Sequence, residues 1–374
     1  MTAWNSENQG GKVVVAMSGG VDSSVSACLL RDQGYEIIGL FMRVGAEMPE
    51  ESCSTPASES GRSHQGCCSA ADAADARFVA GMLDIPFYAL NFRDDFDRII
   101  DYFADEYLQG RTPNPCVMCN NWLKFGKLLD YADAVGARYV ATGHYARITE
   151  AKGRPALQRA VDTRKDQSYF LYGIDRNVLD RVLFPIGGLW KDEVREEAKR
   201  FGLPVSDKPD STEICFVPDR NYARVVQERR PEAFRGGRIV DTEGETLGHH
   251  TGIGHFTVGQ RRGLGVAAGE PIYVTEINVG DNSVVVGDRQ SVKASSLVAE
   301  RCNFLLDSPG DSFRASAKIR YGHQPAACTV NRIDDGLAEV NFDEPQWAIT
   351  PGQSVVFYDD NGIVIGGGWI RGRQ

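Results

Sequence analysis

Three short stretches of this 374-residue chain hold residue types that can do chemistry: VVVAMSGGVDSS at 13–24, TPNPCVMCN at 112–120 and DSTEICFV at 210–217. In the first, the apolar run at 13–16 predicts a buried parallel strand, Ser18, Gly19 and Gly20 a turn, and a helix begins near Asp22 or Ser23. Glycines let backbone amides turn inward, and a helix start adds unpaired N–H groups and a positive dipole end. The stretch is an anion cradle suited to phosphate. A Walker loop would need the lysine of GxxxxGK[ST], which is missing, so cleavage of a γ-phosphate does not follow.

The other two stretches supply thiols. Cys116 and Cys119 form a CxxC stiffened by Pro113 and Pro115, and Cys215 stands alone in a short apolar segment after a polar turn. A CxxC has three uses: half of a zinc site, a redox pair, or a reactive thiol with a helper. Zinc wants four N or S ligands, and no second pair stands at metal spacing, Cys67 and Cys68 being adjacent. A thioredoxin-type pair near an N-terminal βαβ unit would leave the phosphate loop unexplained.

These residues need a scaffold. Strand patterns at 13–16, 35–42, 86–91 and 138–142 alternate with helical patterns at 23–32, 70–83, 92–109 and 122–134, which predicts a Rossmann-like parallel sheet with ligands at the carboxyl ends of its strands. Ser18, Met42 and Gly143-His144 all fall on that edge. A polar, aperiodic insertion at 43–66 reads as a lid, and a helical block at 175–201 closes the domain. Beyond 217 short strands and turns dominate. The fold class is α/β, with a catalytic domain at 1–217, a small β-rich central domain at 218–290 and a C-terminal β-barrel at 291–374.

SGGVDS resembles the PP-loop of the N-type ATP pyrophosphatases, which implies that ATP is split to AMP and pyrophosphate while a substrate oxygen attacks the α-phosphate. Joined to separate thiols, this has a simple meaning: ATP turns a carbonyl oxygen into a leaving group, and sulfur replaces it. The chain as a whole resembles the bacterial tRNA-uridine 2-thiolases. ATGHY, KDQSYFLY, LFPIGG, DSTEICF, TVGQRRGLG, KIRYGHQP and FDEPQWAITPGQS follow SGGVDS and TPNPCVMCN in order. The resemblance implies adenylation of O2 of a tRNA wobble uridine, flipped out of its stack, and delivery of sulfur to C2 from a persulfide.

By position, Cys215 resembles the cysteine that carries the persulfide, and Cys119 the nucleophile that forms a disulfide with it. Ala16, Met17, Ser18, Gly19, Gly20, Val21, Asp22, Ser23, Met42 and Gly143 match the ATP contacts. Asn114, Pro115 and Cys116 match the segment facing the target base, where many relatives carry Asp at the position of Cys116. His144, Lys165, Asp166, Gln167, Arg320, Tyr321 and Gln353 match contacts to tRNA. The implied cofactors are ATP and Mg²⁺, with no dedicated metal site. The implied partners are tRNA and a persulfide donor protein, a cysteine desulfurase or relay, and the enzyme is expected to be monomeric apart from tRNA. An alternative stays open, in which Cys116, Cys119 and Cys215 ligate an iron–sulfur cluster for the same thiolation.

Nine cysteines, an odd number, with no export signal and no bilayer-length apolar run, argue against a disulfide framework and make the cytoplasm the default. Cys28, Cys302 and Cys328 sit in apolar contexts and read as inert packing residues. A net charge of −10 counts weakly against nonspecific nucleic-acid binding, so an RNA contact should be focused; the Lys- and Arg-rich stretch 191–238 is the place to look.

Overall fold

The computed structural model describes residues 10–45, 69–210, 214–266, 269–307, 310–334 and 336–373. Most of the insertion expected to act as a lid, 46–66 of its residues 43–66, lies outside them. Val13, Val14 and Val15 are wholly buried, which requires cover on both faces, and they form the middle strand of a parallel sheet. The chain runs β1 (Lys12–Ala16), α1 (Val21–Asp32), β2 (Glu36–Arg43), α2 (Ala70–Met82), β3 (Phe87–Asn91) and α3 (Arg93–Leu108). It continues through α4 (Pro115–Met118), a π-helix (Cys119–Lys127), α5 (Leu128–Ala134) and β4 (Tyr139–Thr142). A hairpin of β5 (Ala146–Ala151) and β6 (Arg154–Arg159), the edge strand β7 (Val182–Leu183) and α6 (Lys191–Arg200) complete this part.

Sheet order is β3-β2-β1-β4-β7, every pair parallel. The chain grows outward from β1 to β3 and then returns to the other side of β1. The crevice of this switch opens between the carboxyl ends of β1 and β4, where Ser18 and Gly143 stand.

Two expectations need correction. The single helix expected over 122–134 is the end of the nine-residue π-helix followed by the short α5. The block expected as helical over 175–201 holds a 3₁₀ segment (Arg176–Arg181) and the strand β7 before α6 begins.

Past α7 (Tyr222–Arg229), β8 (Gly237–Val240), β9 (Thr246–His250), β10 (Tyr273–Asn278) and β11 (Ser283–Gly287) form a four-stranded sheet. The strands β12 (Lys293–Phe304), β13 (Ser312–Lys318), β14 (Ala326–Arg332), β15 (Leu337–Trp347), β16 (Ser354–Tyr358) and β17 (Val364–Arg373) close into an antiparallel barrel. Closure removes the exposed edges that an open sheet would present.

The basic stretch 191–238 is largely spent inside the protein. Arg229 pairs with Asp97 (2.6 Å) and Arg230 with Asp105 (2.6 Å), tying α7 to α3. Lys191, Arg195 and Lys208 are likewise paired with carboxylates. Among the described residues, no helix is long and apolar enough to cross a membrane.

Candidate active site

The loop after β1 is held by its own serines. The Ser18 amide donates to Ser23 Oγ (3.1 Å), and Ser23 and Ser24 hydroxyls donate to the Gly20 carbonyl (3.2 and 2.8 Å). Gly20 stands at the N-cap of α1, and no side chain caps that helix. Gly19 has φ +74°, and a Cβ there would strike the Asp72 carbonyl, so only glycine fits. From β4, Gly143 lies against the helix start: a Cβ on it would stand 2.7 Å from the Ser23 amide nitrogen and 2.8 Å from Asp22 carbonyl carbon. Gly143→Ala is therefore expected to push the loop outward and raise the KM for ATP about tenfold or more, as misplaced binding groups do. Unchanged ATP kinetics in the variant would show that the loop tolerates the displacement.

A lysine not apparent from the local sequence reaches this loop. Lys191 Nζ stands 2.8 Å from Asp22 Oδ1, across 169 residues of chain, and 2.8 Å from Asp210 Oδ1. The Tyr145 hydroxyl donates to the same Asp22 oxygen (2.8 Å). Lys191 opens α6, where the helix dipole disfavours a cation, and that was the local signal that it serves another purpose. Asp210 also accepts from Lys165 (2.7 Å) and Arg195 (3.2 Å). Burial alone would raise the Asp210 pKa, but the bonds from Lys165 and Lys191 outweigh it and hold the carboxyl below its usual range.

Lys208 makes a second link. Its ammonium donates to the Gly19 carbonyl (2.9 Å) and to Asp72 and Asp75 (both 2.7 Å). Burial would lower its pKa; the two carboxylates reverse that and raise it. The segment leading to Cys215 is thus bonded at two points to the phosphate loop.

Cys215 is half-buried and is followed by Phe216, which packs edge-on against Phe96 (5.8 Å) and Phe103 (5.2 Å) of α3. Helix α3 also packs on α4 and the π-helix, which begins at Cys119. Both cysteines border one apolar cluster, and π-helical turns concentrate at functional positions. Among the described residues no group of three His, Cys, Asp or Glu side chains is placed to hold a metal. Cys116, Cys119 and Cys215 do not form a cluster-ligand set, and the iron–sulfur alternative is not favoured.

The loop that carries Asn114, Pro115 and Cys116 is clamped from outside. Thr112 donates its amide to the Pro351 carbonyl (2.8 Å), Arg111 pairs with Glu300 (3.3 Å), and Gln353 Nε2 donates to the carbonyls of Thr112 (2.9 Å) and Pro113 (3.3 Å). Gln353, expected at tRNA, spends its amide nitrogen on positioning this loop.

The KDQ turn is likewise turned inward. Asp166 is buried and accepts from Arg159 Nε (3.0 Å), the Ala160 and Ser168 amides (3.1 and 3.3 Å) and the Ser168 hydroxyl (3.0 Å). A carboxylate so saturated shapes the turn. Lys165 is bonded to Asp210, and Gln167 accepts from the Tyr145 amide (2.9 Å). Met17 and Val21 side chains lie in the core, so only their backbone can face a nucleotide, whereas Ala16 and Met42 are partly buried. Tyr321 is 41% exposed, its ring 4.6 Å from that of Phe170 and tilted 30° to it, and Arg320 donates to the Trp347 carbonyl (3.1 Å). Of the residues expected at RNA, this pair presents the most open face.

His144 is buried, with Nδ1 2.7 Å from Thr142 Oγ1 and Nε2 3.3 Å from Lys124 Nζ, so the lysine donates and the imidazole is neutral. Burial, with the Lys124 charge adding to it, lowers its pKa well below the usual value. A base with a depressed folded pKa stabilises the protein fully above its unfolded pKa, near 6.5, and progressively less below it, by up to about 1.4 kcal/mol per pH unit. His144→Gln is expected to flatten the acid limb of the stability profile in urea titrations. An identical limb in both proteins would mean that the imidazole takes up its proton as readily in the fold as in the unfolded chain.

Two open concavities, of about 390 and 300 Å³, lie on other faces and include neither the phosphate loop nor Cys119 or Cys215. The candidate site is the strand-edge crevice.

Comparison with known proteins agrees with this geometry. Residues 11–219 match the model of the tRNA methyl transferase HUP domain, 223–288 that of the tRNA methyl transferase PRC-barrel domain, and 294–370 that of the aminomethyltransferase beta-barrel domain. The tRNA-specific 2-thiouridylase of Clostridium perfringens is 50% identical over 362 residues, covering 96% of this chain and 98% of that one. Those of Caldanaerobacter subterraneus and Acetivibrio thermocellus are each 48% identical over 364 residues, covering 96% of this chain and 98% and 99% of theirs. A solved 4-thiouridine synthetase–RNA complex with bound ATP overlaps 59% of this chain and 51% of that one at 17% identity and a TM-score of 0.37, too slight an overlap to bear on function. On identity near one half across almost its whole length, the chain belongs to the tRNA-specific 2-thiouridylase family.

Proposed function

We propose that this protein is an ATP-dependent tRNA-uridine 2-sulfurtransferase acting in the cytoplasm on the wobble uridine. Uracil O2 attacks the α-phosphorus of ATP held over the loop at Ser18–Ser23, and pyrophosphate leaves. ATP enters as its Mg²⁺ complex; among the described residues the protein has no carboxylate cage of its own for the ion. The outer sulfur of a persulfide on Cys215 then attacks C2, and AMP leaves with the former O2. The Cys119 thiolate attacks Cys215 Sγ, the S–S bond breaks towards the nucleobase, and C2 keeps one sulfur while the two cysteines become a disulfide. The sulfur gains the two electrons that the cysteines lose. A donor protein and a thiol reductant reload the enzyme, which works as a monomer on one tRNA.

The observation that carries this reading is the bridge Asp22–Lys191–Asp210, which couples the ATP loop to the segment bearing Cys215. A redox or zinc protein has no use for that link. The test is to incubate the protein with undermodified tRNA, ATP, Mg²⁺ and a persulfide-loaded desulfurase, then digest the RNA and weigh its nucleosides. Formation of 2-thiouridine, AMP and pyrophosphate is expected in equal amounts; an RNA without 2-thiouridine would overturn the proposal.

A further inference from the structure

Many arginines of this acidic chain are matched to carboxylates, among them Arg195 to Asp210, Arg224 to Asp219, Arg229 to Asp97, Arg230 to Asp105 and Arg314 to Asp343. Arg261, Arg262 and Arg289 are exposed and have no carboxylate partner among the described residues. All three lie at the seam between the four-stranded sheet and the barrel, which is built on Trp347. Arg289 lies over the Trp347 ring (5.7 Å), Arg320 donates to the Trp347 carbonyl (3.1 Å), and a Cβ on Gly259 would stand 2.7 Å from Ala348 Cβ and 3.6 Å from the indole nitrogen.

The loop carrying Arg261 and Arg262 is preorganised. The Gln260 side chain accepts from the Thr257 amide (3.0 Å) and donates to the Arg262 carbonyl (3.0 Å), while at its base the Gly259 amide donates to the Val274 carbonyl (2.8 Å) and the Val274 amide to the Gln260 carbonyl (2.9 Å). The same loop reaches the loop that faces the target base, with Thr257 Oγ1 3.4 Å from Thr112 Oγ1. Fixed, unneutralised guanidinium groups beside a base-handling loop suit the sugar–phosphate chain of an RNA.

We propose that Arg261, Arg262 and Arg289 form a phosphate-contacting strip that, continuing to Arg320, holds the tRNA backbone flanking the target uridine. The inference rests on tRNA being the substrate. It offers a way for a protein of charge −10 to bind a polyanion: the repulsive surface is offset locally at this seam, where three exposed arginines without a carboxylate partner among the described residues stand together beside the 112–116 loop.

The test is the salt dependence of binding to an undermodified tRNA transcript. Each phosphate contact contributes about 0.7–0.9 to the slope of log K against log salt, so the Arg261→Ala/Arg262→Ala double variant should lose about 1.5 of that slope and bind about 10- to 100-fold more weakly at moderate salt. Arg289→Ala should lose about half as much slope, and lysine at 261 and 262 should restore it. Arg314→Ala, whose arginine is neutralised by Asp343, serves as the control with the wild-type slope. A wild-type slope in the double variant would overturn the strip, whether or not affinity falls, because a loss of affinity without a change of slope is loop distortion; an acidic protein as the true occupant would give that same unchanged slope. The wild-type nucleoside assay is independent: if the wild type thiolates tRNA and the slopes do not move, the strip alone is wrong.

Discussion

Cys215→Ser is expected to reduce 2-thiouridine formation roughly 10⁴-fold or more, because removing a group that forms the covalent bond removes the whole second half of the reaction. Pyrophosphate release in a single turnover with tRNA should fall by less than about tenfold, since the loop, Lys191 and Asp210 are untouched. The result is a split between two readouts, which misfolding could not produce. Serine is close in shape, and Cys215 is half-buried at the edge of an apolar cluster, so the fold should lose little stability. Cys119→Ser should give a different signature: the sulfur reaches C2 but stays tethered to Cys215, and tRNA accumulates as a covalent adduct released by dithiothreitol. Equal loss of thiolation and pyrophosphate release in Cys215→Ser would mean that Cys215 acts in adenylation, and the order of steps would have to be rewritten. By contrast Cys28 and Cys328 are buried, and burial pushes their thiols up to about 11 and about 12. They lack the thiolate that the chemistry needs.

The elements that were legible in the sequence are those whose signal is local. The valines of β1, the glycines of the turn and the serines of α1 gave strand, loop and helix in order, and the strand-helix alternation placed Gly143 at the same sheet edge. The π-helix was not legible: over nine residues an apolar pattern of 4.4 residues per turn is hard to tell from one of 3.6, and CNNWLKFGK reads as an ordinary helix. Strand β7 has two residues, too few for any period. The hairpin β5–β6 carries Pro155 and several charges and was passed over, although Lys152-Gly153 marks its turn, both at positive φ.

Charge pairing was the least legible feature of the site. Asp166 and Gln167 look like a solvated turn, yet one is buried and saturated and the other supports the backbone at Tyr145. No local rule reports that Arg159, seven residues upstream of Asp166, folds back from the hairpin to neutralise it. The basic stretch 191–238 looked like an RNA surface for the same reason: composition counts charges without showing which are already paired. The exposed arginines at 261, 262 and 289, proposed above to meet phosphate, lie in a stretch of lower basic density.

The missing Walker lysine sets the last expectation. Lys191→Met should slow single-turnover pyrophosphate release about 100- to 1,000-fold at saturating ATP and tRNA, the usual cost of removing one preorganised charge from a transition state. An ammonium has three N–H donors; two of the Lys191 protons are spent on Asp22 and Asp210, and among the described residues the third meets no oxygen. Through Asp22 its charge stands at the first turn of α1, where, in the proposed reaction, the departing pyrophosphate would gather negative charge. Methionine keeps the length and apolar stem but leaves Asp22 and Asp210 without their shared cation; Asp210 retains Lys165 and Arg195, so the loss of stability should be about 2 kcal/mol, less than for a fully buried pair. Arginine at 191 keeps the charge but replaces a compact ammonium with a planar fork, so it should recover the stability and only part of the rate. Rapid-quench measurement of pyrophosphate beside urea titration separates these effects. A Lys191→Met protein that is destabilised yet releases pyrophosphate at the wild-type rate would show that Lys191 only joins Asp22 to Asp210, and that the charge drawing pyrophosphate away comes from the helix start alone.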